Sequence, residues 1–208
     1  AEKDYEAVIL GNQAAHFTVG ANLAMVFMLA IEQEYDELNM SINLFQSTVM
    51  RMRYSSVPTL ITPRGMTLGG GCELSLQADK VVDASESYTG LVEFGVGLIP
   101  GGGGTKEMAK RVSDLWIKDD VKLNRLRDAF INIAMAKVAT SAHEAYDMGY
   151  YQHGKDIVVV NADRQIATAK RHALQMLKYG YTHTAPQKVK VLGQQTWGMC
   201  TVGTDRLR

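Results

Sequence analysis

Apolar and polar positions divide the chain into short apolar runs and longer stretches of helical spacing. "EAVILGNQ" is an unbroken apolar run ended by a turn signal, the pattern of a buried strand. "HFTVGAN" predicts a second short strand closing at Gly20. From Asn22 the period changes. Leu23, Val26, Phe27, Ala30 and Ile31 share a helical face, and the Asn22 side chain is placed to cap it. A second helical pattern runs through Leu38, Ile42, Phe45, Val49 and Met52. "VPTLITPRG" predicts a strand bounded by Pro58 and Pro63, "CELSLQADK" a helix, and "KVVDAS" a further strand. "SYTGLVEFGVGLIPGGGGT" reads as mostly irregular. Helices follow over "TKEMAKRV", "LNRLRDAFINIAMAKVA" and "SAHEAYDMG", the last with Ser141 leading and Glu144 three residues on. "NADRQIATAKRHALQMLKYGY" predicts the longest helix, with Ile166, Ala169, Ala173, Leu174 and Leu177 on one face and Gly180 at its end.

Strands alternating with helices place the chain in the α/β class. No internal repeat or low-complexity tract is visible. The nearest thing to a boundary is "YYQHGKD", so residues 1–150 read as a core and 151–208 as a largely helical C-terminal segment of the same domain. The 208 residues suffice for one substantial domain. The formal net charge of zero removes bulk attraction to nucleic acid or an anionic membrane. Cys72 and Cys200 lie far apart, against a disulfide framework or thiol-rich metal site. No apolar run approaches the ~18 residues of a membrane span. With no signal peptide read at its start, the expected setting is cytoplasmic. Both ends read as cuts through a longer polypeptide.

The chemistry concentrates around "MTLGGGCEL". Consecutive glycines cost conformational entropy and call for a reason: a tight turn, a close helix contact, or a ligand touching the backbone. A glycine turn entering a helix aims free N–H groups at one spot, suited to an anion or an oxygen that becomes anionic. Glu73 sits in the first turn of that helix, where it also suits the helix dipole. Glu93, between Val92 and Phe94, is a carboxylate in apolar surroundings; its pKa should rise, unless it meets a distant cation or points outward. "GVGLIPG" departs from a dinucleotide fingerprint in spacing, and "GGGGTK" from a phosphate loop in the order of Thr105 and Lys106. The five histidines show no ligand spacing, so no metal site is expected, and there is no GxSxG elbow. The methionines at 25, 28, 50, 52 and 66 read as core filler, or as a lining suited to a flexible acyl chain.

In combination, "HFTVGANL", "PTLITPRGMTLGGGCELSLQADKVV", "YTGLVEFGVGLIPGGGGTKEMAKR" and "SAHEAYDMG" resemble the crotonase superfamily. Within it they are most similar to the enoyl-CoA hydratase domain of bacterial bifunctional 3-hydroxyacyl-CoA dehydrogenases. The resemblance covers essentially the whole chain. It implies a crotonase-type ββα superhelix with a helical C-terminal segment, here without the family's N-terminal hairpin. It implies hydration of trans-2-enoyl-CoA to 3-hydroxyacyl-CoA in fatty-acid β-oxidation. Matching the motifs position by position assigns Glu73 and Glu93 as catalytic, Glu93 as proton donor, and Ala21 and Gly70 as oxyanion-hole donors. Val19, Gly20, Asn22, Leu23, Gly69, Gly97 and Gly101 then line the substrate site, with Gly101 helping to hold the water. Asn22 stands where the family usually has Asp. The coenzyme A thioester is substrate, no cofactor is permanently bound, and a homo-oligomer (trimer or hexamer) is implied. An isomerase of the same superfamily, which relies on one acid, and a non-catalytic acyl-CoA-binding or assembly module are the alternatives.

Overall fold

The computed structural model describes residues 2–119, 121–194, 196–198 and 201. Its strands are β1 (Val8–Gly11), β2 (Thr59–Thr62), β3 (Gly65–Leu68), β4 (Lys80–Ala84), β5 (Ser87–Gly90) and β6 (Ile157–Val159). Its helices are α1 (Leu23–Ile31), α2 (Tyr35–Arg53), α3 (Gly70–Gln77), α4 (Gly104–Asp114), α5 (Lys122–Ala134), α6 (Ala142–Asp147) and α7 (Gln165–Lys178). Two 3-10 turns, Glu93–Val96 and Ala162–Arg164, complete them.

Among the described residues the strands pair with one another in parallel, and a single antiparallel bridge joins Thr89 of β5 to Ala139. One sheet runs β1-β2-β4-β6 and the other pairs β3 with β5. Only Pro63 and Arg64 separate β2 from β3, and only Ser85 and Glu86 separate β4 from β5. At each step the chain therefore leaves one sheet for the other and then enters a helix: β2-β3-α3, then β4-β5-α4. The start of the chain follows the same course. After β1, Thr18 bridges in parallel to Thr67, and α1 follows. These are successive turns of a ββα superhelix, an internal repeat of structure where the sequence shows none.

The β2 strand is buried along its whole length, as expected of a parallel strand covered on both faces. Its alternation divides the core. Leu60 and Val82 meet Ala169 and Ala173 of α7, while Ile61 and Val81 face a larger cluster with Leu76, Leu91, Met108, Ala142 and Tyr150.

Several expectations change. "HFTVGAN" forms a single bridge rather than a strand. β3, β5 and β6 were not expected; they are three or four residues long, too short for an alternation to stand out. The segment after Tyr150 thus supplies a strand as well as helix. The longest helix is α2 with 19 residues, against 14 in α7, whose first turn tightens to 3-10 form. Within α7 the small Ala169 and Ala173 are buried, letting the helix approach the sheet closely, whereas Ile166 and Leu174 are exposed. Met25, Met28 and Met66 are exposed rather than core filler, and the apolar face expected on α1 is open, with Phe27 65% and Ile31 64% accessible. Cys72 is buried and free, and Cys200 lies outside the described residues.

Candidate active site

Stacked layers bring three chain reversals together. Each layer's second strand gives way to a helix or a 3-10 turn: Thr18 to Gly20 and Ala21, Leu68 to Gly69 and Gly70, Gly90 to Glu93. Backbone hydrogen bonds lock the layers, from Leu68 N–H to Thr18 O (3.0 Å) and from Gly69 N–H to Gly90 O (2.9 Å). Gly69 lies at φ 54°, ψ −123°, a region essentially closed to side chains. A Cβ there would lie 3.8 Å from Gly20 Cα and 3.4 Å from Glu93 Oε1. Gly70 is the first residue of α3, where a helix offers its own N–H no partner. Ala21 immediately precedes Asn22, whose Oδ1 caps α1 by accepting from Met25 N–H (3.3 Å). Among the described residues neither the Ala21 nor the Gly70 N–H has an acceptor.

One turn into α3, the Glu73 carboxylate is 2% exposed. Its Oε2 accepts from Gly102 N–H at 2.9 Å and its Oε1 from Gly104 N–H at 2.8 Å. Both oxygens thus face the N-terminus of α4, where donors and dipole favour an anion. Burial raises the Glu73 pKa, and these two hydrogen bonds offset only part of that rise. The bare loop is a steric requirement. A Cβ on Gly102 would lie 2.2 Å from Phe45 Cε1 and 2.5 Å from Glu73 Oε2.

Glu93 opens the 3-10 turn that Gly97 closes at φ 78°. It is half-buried. Burial, with a smaller contribution from the charge of Glu73, pushes its pKa up to about 7. Its Oε2 is buried with no hydrogen-bond partner among the described residues. Two carboxylates thus occupy one region in contrasting environments: burial raises both, but two backbone donors stabilise the Glu73 anion while the Glu93 Oε2 has no donor among the described residues. Such a separation suits acid–base chemistry.

The remaining predicted residues distribute differently. Val19 and Leu23 are exposed beside the Gly20–Ala21 turn. Gly97 shapes the 3-10 turn with open space around its Cα. Gly101 is exposed, and its carbonyl accepts from Gln46 Nε2. Phe45, Gln46, Gly102 and Gly104 complete the surroundings of Glu73 and were not singled out from sequence. For the two glycines the signal was the run of four before a helix, set aside above as departing from a phosphate loop, while Phe45 showed only as part of the second helical pattern. Among the described residues no group of three or more His, Cys, Asp or Glu is placed to share a metal ion, and no helix is long and apolar enough to cross a membrane.

The sequence model of the enoyl-CoA hydratase/isomerase family matches residues 1–118. Over 207 residues the chain is 40% identical to a probable 3-hydroxyacyl-CoA dehydrogenase of Bacillus subtilis, covering all of this chain and 26% of that protein. Over 111 residues it is 39% identical to a putative fatty acid oxidation complex trifunctional enzyme of Rickettsia felis, covering 53% of this chain and 15% of that protein. The chain therefore spans about a quarter or less of the length of these curated relatives. An enoyl-CoA hydratase from Bacillus anthracis shares the fold, with a TM-score of 0.65 at 24% identity over 83% of this chain and 58% of that one.

Proposed function

Because the chain belongs to the enoyl-CoA hydratase/isomerase family, whose model matches more than half of it, we propose that it adds water to trans-2-enoyl-CoA, giving 3-hydroxyacyl-CoA. The observation that carries this reading is the pair of carboxylates in opposed environments beside two unpartnered N–H groups. The thioester oxygen accepts from the Ala21 and Gly70 N–H groups, which stabilise it as the enolate forms. Glu73, held ionised, takes a proton from water as the oxygen bonds to C3. Glu93, protonated, delivers its proton to C2. Atoms and charge balance, and transfer of the proton from Glu73 back to Glu93 resets the site. A double-bond isomerase relies on one acid, so two differentiated carboxylates support hydration. The coenzyme A thioester is a substrate rather than a resident cofactor. A homo-oligomer, a cytoplasmic setting and a role in fatty-acid β-oxidation belong to the same proposal.

The test is loss of enoyl-thioester absorbance with crotonyl-CoA, followed across pH. Turnover needs Glu93 protonated, so kcat/KM should fall as pH rises past about 7. It needs Glu73 ionised, so the rate should also fall on the acid side. Shift of the double bond in a 3-enoyl-CoA without hydration of crotonyl-CoA would make the protein an isomerase. Thioester binding with neither reaction would make it a binding module.

The loop supporting Glu73 gives a second check. Gly102→Ala forces the Phe45 ring, the carboxylate or the loop to move. Small misplacements of a reacting group cost about 10²-fold, so a fall of that order in kcat is expected with the fold retained by circular dichroism. Wild-type kcat would show that the Gly102 contact does not set Glu73.

A further inference from the structure

The Gly101 carbonyl and the Gly102 N–H belong to one planar peptide unit. On one side its oxygen accepts from Gln46 Nε2 at 2.7 Å; on the other its N–H donates to Glu73 Oε2 at 2.9 Å. A carbonyl can only accept, which fixes the orientation of the Gln46 amide, nitrogen toward the loop. We propose that Gln46 is a positioning residue, holding the Gly101–Gly102 peptide in the orientation that binds the Glu73 carboxylate.

The argument is geometric. Gly102 sits in a run of four glycines, a backbone with few steric limits on turning a peptide plane. Without a contact on the carbonyl, that plane is free to rotate its N–H away from Glu73. Rigid α2 supplies two contacts from adjacent residues: the Phe45 ring packs over Gly102, and the Gln46 amide pins Gly101. The bonds also act in series. A donor on the carbonyl polarises the peptide and strengthens its N–H as a donor to the carboxylate. Gln46 is solvent-exposed, yet its partner lies 55 residues away in sequence. The titratable groups nearest this arrangement are Glu93 on the 3-10 turn, Cys72 beside Glu73 on α3, and Lys106 of α4, whose stem packs against Gly103 and whose Nζ reaches Met50 Sδ of α2; α4 also presents its N–H groups and α2 the Phe45 ring.

The role of Glu73 as base rests on the hydratase reading, but the positioning itself can be tested without turnover. The carboxyl carbon of Glu73 is titrated by 13C NMR in the wild type, in Gln46→Met and in Gln46→Lys, with Glu73→Gln assigning the signal. Met keeps the length and removes the donor; Lys restores a donor. Weakening the Gly102 bond disfavours the anion, so Gln46→Met should raise the proton affinity of Glu73 about tenfold. Gln46→Lys should hold it at or below the wild-type value. In the crotonyl-CoA assay, kcat should fall in Gln46→Met with KM little changed, and the acid limb of the pH profile should move up. A Glu73 that titrates in Gln46→Met as in the wild type would overturn the proposal, since water would then serve as well as the amide. Equal shifts in the Met and Lys variants would overturn it too, because the donor would be irrelevant. A wild-type protein that does not hydrate crotonyl-CoA would refute the hydratase reading, while the carboxyl titration would still decide the role of Gln46.

Discussion

Glu93→Gln is expected to lower kcat for crotonyl-CoA hydration by about 10²–10⁴, the usual contribution of a positioned acid or base. The substitution preserves shape and removes only the proton the mechanism needs. It should leave KM nearly unchanged, because the thioester oxygen is assigned to the Ala21 and Gly70 N–H groups. It should also abolish the alkaline limb near pH 7, since that limb reports Glu93 itself. Little else should move. The Glu93 Oε2 has no partner among the described residues to lose, and an amide there avoids the penalty of a buried charge. Wild-type kcat in this variant, measured by enoyl-thioester absorbance, would remove Glu93 from the reaction.

Glu107→Ala should instead unfold much of the molecule's margin. Glu107 is 4% exposed and lies between two guanidinium groups. Its Oε2 meets Arg53 Nη1 at 2.6 Å, and its Oε1 meets Arg111 Nε at 3.0 Å. Arg111 also donates to Leu76 O at the end of α3 and to Tyr150 O after α6, both at 2.8 Å. Arg53 reaches Gln77 Oε1 at 2.9 Å. One buried carboxylate therefore bridges two guanidinium groups that join α2, α3, α4 and the turn before β6, offsetting one of their two charges. Breaking a buried pair by removing one partner costs about 3–5 kcal/mol, against a total of ~5–15 kcal/mol for a domain. Urea unfolding should show a midpoint lowered accordingly, with Glu107→Gln in between because it keeps the volume. A change below about 1 kcal/mol in Glu107→Ala would mean that water solvates the two guanidinium groups as well as the carboxylate does.

These two glutamates differ in how far sequence reaches. The apolar neighbours of Glu93 suggested a raised pKa, and burial raises it, although Phe94 itself is exposed. The Glu107–Arg111 half of the ion cluster is a plain i,i+4 helical pair, whereas Arg53 lies 54 residues before Glu107 and no local pattern points to it. Glu73 is the instructive case. Its place in the first turn of α3 suggested that it complements that helix. The structure gives its carboxylate to α4, whose N-terminal loop begins nearly 30 residues later. The glycines before α4 resembled a failed phosphate loop because both bind an anion with backbone N–H groups; here the anion is the protein's own side chain.

What the sequence determined by itself is local. Asn22 and Ser141 cap α1 and α6 because a short polar side chain reaches the first free N–H groups of its own helix. The α/β class, β1, β2, β4 and every helix follow from periodicity within a few residues. The family motifs are local too, and they name Ala21, Gly70, Glu73 and Glu93 without placing them. Tertiary structure decided the rest. Strands of three or four residues exist because parallel pairing with distant neighbours satisfies their backbone, not because their side chains demand it. The site exists because successive ββα layers stack in register, setting the Gly20, Gly69 and Glu93 reversals one above another. The unequal surroundings of the two glutamates arise only there, from which donors burial left beside each.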